Sequence, residues 1–170
     1  MKQLPPTIID LEASGFGAAS YPIEVGVKRG DGERFCRLIK PAPGWTHWDE
    51  KAAQLHGIER EELIRYGSEP ASVCHDLNQF IHGQQVYTDG WVVDYPWLIK
   101  LFETARVDMA FKVSALDYLL SEQQMESWSQ VRSGLHEEHR GQRHRASSDA
   151  ELIQLTFMRS ARHSGVLSKP

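Results

Sequence analysis

The chain is short of three things that would settle its class at once. It has two cysteines in 170 residues, Cys36 and Cys74, far apart and outside any CxxC or Cys/His ligand spacing, so neither a disulfide framework nor a zinc site is signalled. No window approaches the roughly 18 uncharged apolar residues of a transmembrane helix. There is no surplus of positive charge either: 19 Lys plus Arg face 23 Asp plus Glu, a net charge of −4, which excludes a broadly basic nucleic-acid coat. The N-terminal MKQLPPTIIDLEASG is interrupted by two prolines and then by Asp10 and Glu12, so it lacks the apolar core of a secretory signal. A cytoplasmic, reducing setting with no membrane partner is expected.

What remains is ordinary globular material, 41% hydrophobic and 25% charged. The length allows one domain, expected over residues 1–163, with 164–170 as a short C-terminal tail. PTIIDL reads as a buried strand emptying into the turn Ser14-Gly15-Phe16-Gly17. Tyr21 to Lys28 and Arg34 to Ile39 alternate with period two and complete three antiparallel strands. DEKAAQLHG and EREELIRYG read as short helices closed by glycine, and Pro70 to His82 as a third helix. Gln85 to Thr88 predicts a strand, Asp94 to Ala105 a helix, and Phe111 to Ser114 a further strand. Helical stretches follow over Leu116–Leu120 and Gln123–Leu135. The histidine-rich His136 to Arg145 reads as a loop, and Ser147 or Ser148 as the cap of a last helix to about Ala161. Strands followed by alternating helices and strands give an α/β domain with a mixed sheet.

Asp10 and Glu12 are the most informative pair. Residues i and i+2 of a strand share a face, and two carboxylates at the edge of a core repel and lose hydration unless a cation or donors compensate. Hard divalent ions such as Mg²⁺ and Mn²⁺ take oxygen ligands; the plainer alternative is two solvated side chains past the strand end. Asp94, in the first turn of a helix after a short strand, has capping as its simplest role, and Asp89 at the strand end competes with it as a ligand. Asp149 reads by itself as another first-turn acid, and His144 as a surface histidine.

In combination these segments resemble one family. IIDLEASG near the start, an aspartate at a mid-chain strand-helix junction and HRASSDA near the end follow the order of the DEDDh 3'-5' exonucleases. Ile23-Glu24-Val25-Gly26 is similar to that family's second strand, and Leu55-His56-Gly57-Ile58 to an HGI segment that borders the terminal nucleotide. The resemblance spans nearly the whole chain and implies a ribonuclease H-like α/β fold, a central mixed five-stranded sheet with helices on both faces. It implies that Asp10, Glu12, Asp94 and Asp149 hold two divalent ions, Mg²⁺ or Mn²⁺, near a scissile phosphate, with His144 as general base. It further assigns Ala13, Ser14, Gly15, Phe16, Leu55 and His56 to the pocket of the last nucleotide. The implied partners are single-stranded or frayed 3' ends of DNA or RNA, and the implied product is a nucleoside 5'-monophosphate. A homodimer, or association with a replication or repair assembly, would fit relatives of this kind. One departure stands out: many members carry Asn or His-Asn shortly before the middle aspartate, where this chain has Asp89-Gly90.

Charge is unevenly spread. Residues 1–125 hold 12 basic and 18 acidic side chains, and residues 126–170 hold 7 and 5. The surplus around Arg140, Arg143 and Arg145 is placed to steer phosphates, with Arg145 a substrate-binding candidate. Trp45 and Trp48, on a loop, read as caps on the core, a second stacking platform being the alternative. Two other functions remain open on sequence: a non-catalytic nucleic-acid or polymerase partner that keeps the fold, and a two-metal phosphoesterase of small nucleotides.

Overall fold

Alternation along the first strand sets the architecture. The computed structural model describes residues 4–142 and 145–163. In it β1 (Ile8–Ala13), β2 (Pro22–Lys28) and β3 (Arg34–Leu38) form an antiparallel meander. On the other side of β1, β4 (Gln85–Thr88) and β5 (Lys112–Ala115) add in parallel, giving a mixed five-stranded sheet in the order β3-β2-β1-β4-β5.

On one face Ile9 and Leu11 of β1 join Val25, Val27 and Phe35 and pack against α3 (Pro70–Ile81) and α4 (Trp91–Ala105), through Val73, Leu77, Leu98 and Leu101. Each such side chain stabilises the fold by about 1.5–3 kcal/mol when fully buried. On the opposite face Ile8 meets Ala150 and Ile153 of α6 (Ala146–His163), flanked by Leu116 and by Trp128 of α5 (Glu122–Glu138). Because the period is two, Asp10 and Glu12 lie on this second face with Ile8. A smaller core of Tyr21, Ile23, Ile58 and Leu63 is closed by α1 (Glu50–His56) and α2 (Arg60–Tyr66). No helix among the described residues is long and apolar enough to cross a membrane.

Four boundaries differ from the sequence reading, each for a physical reason. β1 extends through Ala13, so Asp10 and Glu12 are strand residues rather than side chains past its end. α4 begins at Trp91, three residues before Asp94, with Gly90 as its N-cap. α5 starts from a capping box in which Ser121 and Gln124 satisfy each other's amides, and it continues to Glu138, so His136 is helical rather than in a loop. α6 begins at Ala146, so Ser147 and Ser148 sit inside its first turn rather than at the cap position, and both hydroxyls accept from Arg34. The Ala146 amide is instead satisfied by the Glu24 carboxylate of β2, at 2.7 Å. The proposed tail, 164–170, lies outside the described residues.

Candidate active site

The second face of the sheet is polar at the end where α6 starts, and one glycine makes the approach possible. A Cβ on Gly26 would lie 2.1 Å from the Ser147 amide nitrogen and 2.2 Å from the Ala146 carbonyl carbon. Its absence lets the first turn of α6 settle onto β2. Next to it Glu24, fully buried, accepts from Arg145 Nε at 2.6 Å and pairs with Arg145 Nη2 at 2.5 Å, besides taking the Ala146 amide. A buried charge needs such partners. The α6 N-terminus is thereby tied to the sheet from the residue before the helix, and the fourth residue of α6 is Asp149.

That anchorage brings Asp149 over β1. Carboxylate oxygens of Asp10, Glu12 and Asp149 all lie within 4.8 Å of one another. Asp94 is buried beside them, its carboxylate receiving the Thr88 hydroxyl and hydrogen-bonded to the Leu11 backbone. Thr88 Oγ1 in turn accepts from the Gly90 amide at 3.0 Å. Thr88 therefore fixes both the start of α4 and the direction of Asp94.

Burial and neighbouring charge shift the ionisation of three of these acids. Burial, and then the charges of Asp94, Glu12, Asp149 and Asp89, hold the Asp10 carboxyl well above the usual carboxylate range. Glu12 is pushed up to about 8, first by burial, then by a hydrogen bond with Asp149 and the surrounding negative charges. Asp94 is pushed up to about 7 by burial, with Asp89 adding repulsion and the Thr88 hydroxyl opposing the shift. Without a metal, Glu12 and Asp10 therefore hold protons at neutral pH, and Glu12 is hydrogen-bonded with Asp149. An all-oxygen set that is unfavourable without positive charge suits a hard divalent cation. Asp10, Glu12 and Asp149 fit such an ion directly, with Asp94 adjacent.

Asp89, the competing candidate, is ion-paired with Arg132 of α5. His144 and Arg143 lie outside the described residues. The Arg145 guanidinium is bound to Glu24, which sits opposite Glu12 in the β1–β2 register. Arg140 pairs with Glu137. The basic surplus seen in the sequence is thus partly consumed by neighbours on the protein itself.

The segment after Glu12 is held from below. Ala13, Ser14 and Gly15 are buried. Ser14 Oγ lies 3.0 Å from His47 Nδ1 and accepts from the Tyr21 amide at 3.0 Å, so its side chain is a clamp. A Cβ on Gly15 would come within 2.8 Å of the Asp49 Cβ. Phe16, by contrast, is 70% exposed, and Leu55 72%. His56 is buried; its Nδ1 accepts from the Ile58 amide at 3.0 Å. Its Nε2 is buried with no hydrogen-bond partner among the described residues, and burial, against the pull of Glu24, lowers its pKa. Trp45 stacks on Tyr21 with ring centroids 5.3 Å apart, and Trp48 meets His56 edge-on at 5.9 Å. Both indoles are therefore engaged with the smaller core, as the capping reading expects.

Sequence reasoning missed Glu24, Thr88 and His47 as site-building residues. Glu24 was visible only as part of a strand motif. Its buried charge in an otherwise apolar strand, YPIEVGV, was the available signal.

No family profile matches the chain, and no curated protein matches it by sequence. Solved structures do match in shape. Exonuclease I of E. coli in complex with a 5cy-dA13 oligonucleotide superposes with a TM-score of 0.68 at 13% identity, over 95% of this chain and 41% of that one. Exonuclease I from Methylocaldum szegediense gives 0.71 at 13% identity, over 95% and 41%. Pop2p of S. pombe, in a form with Mg²⁺ and Mn²⁺ bound, gives 0.68 at 15% identity, over 98% and 86%. The chain spans about two-fifths of the length of the exonuclease I chains. It has the ribonuclease H-like α/β fold of DEDDh-type exonucleases.

Proposed function

We infer that this protein is a metal-dependent 3'-5' exonuclease that removes nucleoside 5'-monophosphates from single-stranded or frayed ends of DNA or RNA. The observation that carries the reading is the convergence of Asp10, Glu12 and Asp149 within 4.8 Å, with Asp94 buried beside them, on a fold shared with exonucleases. A protein that only bound nucleic acid would gain nothing from concentrating acids where the substrate is itself anionic.

In this reading Asp10, Glu12, Asp94 and Asp149 hold divalent ions, Mg²⁺ or Mn²⁺. When bound, such ions act as Lewis acids on phosphoryl oxygens and make water more acidic. The remaining work belongs to the chain. Thr88 aims Asp94, and Glu24 with Arg145 holds the start of α6 so that Asp149 faces β1. His144, one residue before that anchor, is the general base that takes a proton from the attacking water, a role suited to an imidazole titrating near neutrality. The exposed Phe16 and Leu55 offer apolar contact to the terminal nucleotide. The His56 Nε2 position leaves one buried polar atom for a substrate oxygen to satisfy.

Product analysis tests this. Oligonucleotides of DNA and RNA incubated with Mg²⁺ or Mn²⁺ should yield nucleoside 5'-monophosphates with the native protein. Asp10→Ala should abolish release, and His144→Ala should slow it by about 10²–10⁴-fold, the usual worth of a general base. Full-length substrate that is bound but never shortened by the native protein would sink the reading.

A further inference from the structure

A cavity opens beside Asp89 and is unused by the proposed chemistry. It lies between α5 and the ends of β4 and β5 that point toward the site, with a volume of about 520 Å³, within the roughly 300–1,000 Å³ typical of small-ligand clefts. Leu116, Leu120, Met125 and Trp128 form its apolar walls, and Asp89 paired with Arg132 forms its polar edge. Ser129 and Ser133, exposed on α5, lie at the rim, and Asp117 and His136 also line the cavity.

We propose that this cavity is a nucleotide subsite, which takes the base of the nucleotide on the 5' side of the scissile phosphate. The proposal rests on the exonuclease reading for its polarity. Strand order supplies the geometry. β1 carries Asp10 and Glu12 at the centre of the sheet, and the order β3-β2-β1-β4-β5 places its two neighbours on opposite sides. His56 and Trp48 lie on the β2 side, where Glu24 acts on His56. The cavity lies on the β4–β5 side. Asp89 directly follows Thr88, which holds Asp94. If the last nucleotide occupies the Phe16 and His56 side, the chain crossing the carboxylates emerges over Asp89.

The chemistry of the walls selects the occupant. A nucleobase presents two apolar faces to Leu116, Met125 and Trp128 and a polar edge to hydroxyls at the rim. Its phosphate meets the Arg132 guanidinium, which has more N–H donors than a single contact with Asp89 uses. Asp89 holds Arg132 at the edge of the cavity.

The test fills the cavity from its exposed rim with Ser129→Trp, and with Ser133→Phe as the alternative if the first variant does not fold. Neither residue belongs to the proposed catalytic set. Two substrates are compared in Mg²⁺: a single-stranded oligonucleotide, and the p-nitrophenyl ester of thymidine 5'-monophosphate, which has no nucleotide on the 5' side of the bond broken. Filling the cavity should raise KM for the oligonucleotide on the order of 10-fold, as expected for one lost stacked base, and leave hydrolysis of the small ester unchanged. An oligonucleotide with an abasic penultimate position should show the same loss with the native protein and no further loss with the variant. Equal loss on both substrates, or native protein indifferent to the abasic position, overturns the subsite. If the native protein hydrolyses neither substrate, the exonuclease reading fails separately. The subsite is then read by fluorescence anisotropy of a labelled oligonucleotide in Ca²⁺: weaker binding by the variant supports it, and equal binding refutes it.

Discussion

Removing the divalent ion should make the fold less stable as pH rises, opposite to the usual behaviour of a protein whose acids are paired with cations. Glu12 is pushed up to about 8 and Asp94 to about 7 in the metal-free fold, whereas an unfolded chain releases the same protons near pH 4. Between those values the folded state binds more protons than the unfolded one, so stability falls with pH by up to about 1.4 kcal/mol per unit for each such group. From pH 5.5 to 7.5 Glu12 alone contributes roughly 2–3 kcal/mol of loss. Asp94, whose folded value falls inside the window, contributes somewhat less. His56 acts in the other sense, because its lowered pKa means that the fold gains as the unfolded imidazole loses its proton. The difference between native protein and Glu12→Gln isolates the acid term. Urea denaturation followed by the fluorescence of the five tryptophans, in EDTA at pH 5.5, 6.5 and 7.5, reads it directly. The variant should be more stable than native at pH 7.5 without metal and should lose the share of the pH slope that Glu12 contributes, keeping that of Asp94 and Asp10. Mg²⁺ at about 100 times its dissociation constant should restore about 2.7 kcal/mol to the native protein and much less to the variant. A metal-free native protein whose stability is flat or rises from pH 5.5 to 7.5, relative to Glu12→Gln, would refute the electrostatic picture of the site.

Two further outcomes concern the scaffold that brings Asp149 into place. Glu24→Ala leaves Arg145 without its carboxylate and the Ala146 amide unsatisfied. Breaking a buried pair typically costs about 3–5 kcal/mol. Because the Arg145 side chain is 36% exposed and water can rehydrate it, about 3 kcal/mol is expected, with part recovered in Glu24→Gln. A loss under about 1 kcal/mol in urea denaturation would remove Glu24 from this role. Gly26→Ala drives a methyl group into the α6 backbone, where nothing but a shift of the helix relieves it. Overpacking of this kind costs about 1–3 kcal/mol or more. The variant should also lose its thermal response to Mg²⁺ or Mn²⁺, and an unchanged response would show that α6 does not need this close approach.

Legibility in the sequence followed the range of the interactions. Asp10 and Glu12 could be placed on one face because strand period is local, and three alternating segments with later strands between helices sufficed for a mixed sheet, whose strand order only the fold supplies. The start of α6 was misread because its cap comes from Glu24, distant in sequence, while two serines at the expected place suggested a local cap. The surroundings of Asp89 and Asp94 were likewise set by partners that the sequence did not reveal. Asp89 is occupied by Arg132 of α5, and Asp94 is turned inward by Thr88 from the end of β4. Arg145 looked like a free cation in a basic stretch, and only the fold shows that its charge is spent on a buried glutamate. The capping role of Trp45 was legible from its place on a loop, while its stacking partner Tyr21 emerged only with the fold.

The central claim is that the carboxylate group on β1, α4 and α6 binds divalent ions to cut phosphodiester bonds from the 3' end. A 5'-labelled single-stranded oligonucleotide, incubated with native protein and Mn²⁺ and sampled over time, tests it most directly. The account expects a ladder shortening one nucleotide at a time, abolished by EDTA and by Asp10→Asn. Intact substrate under all metal conditions, or a ladder that Asp10→Asn leaves unchanged, would contradict it.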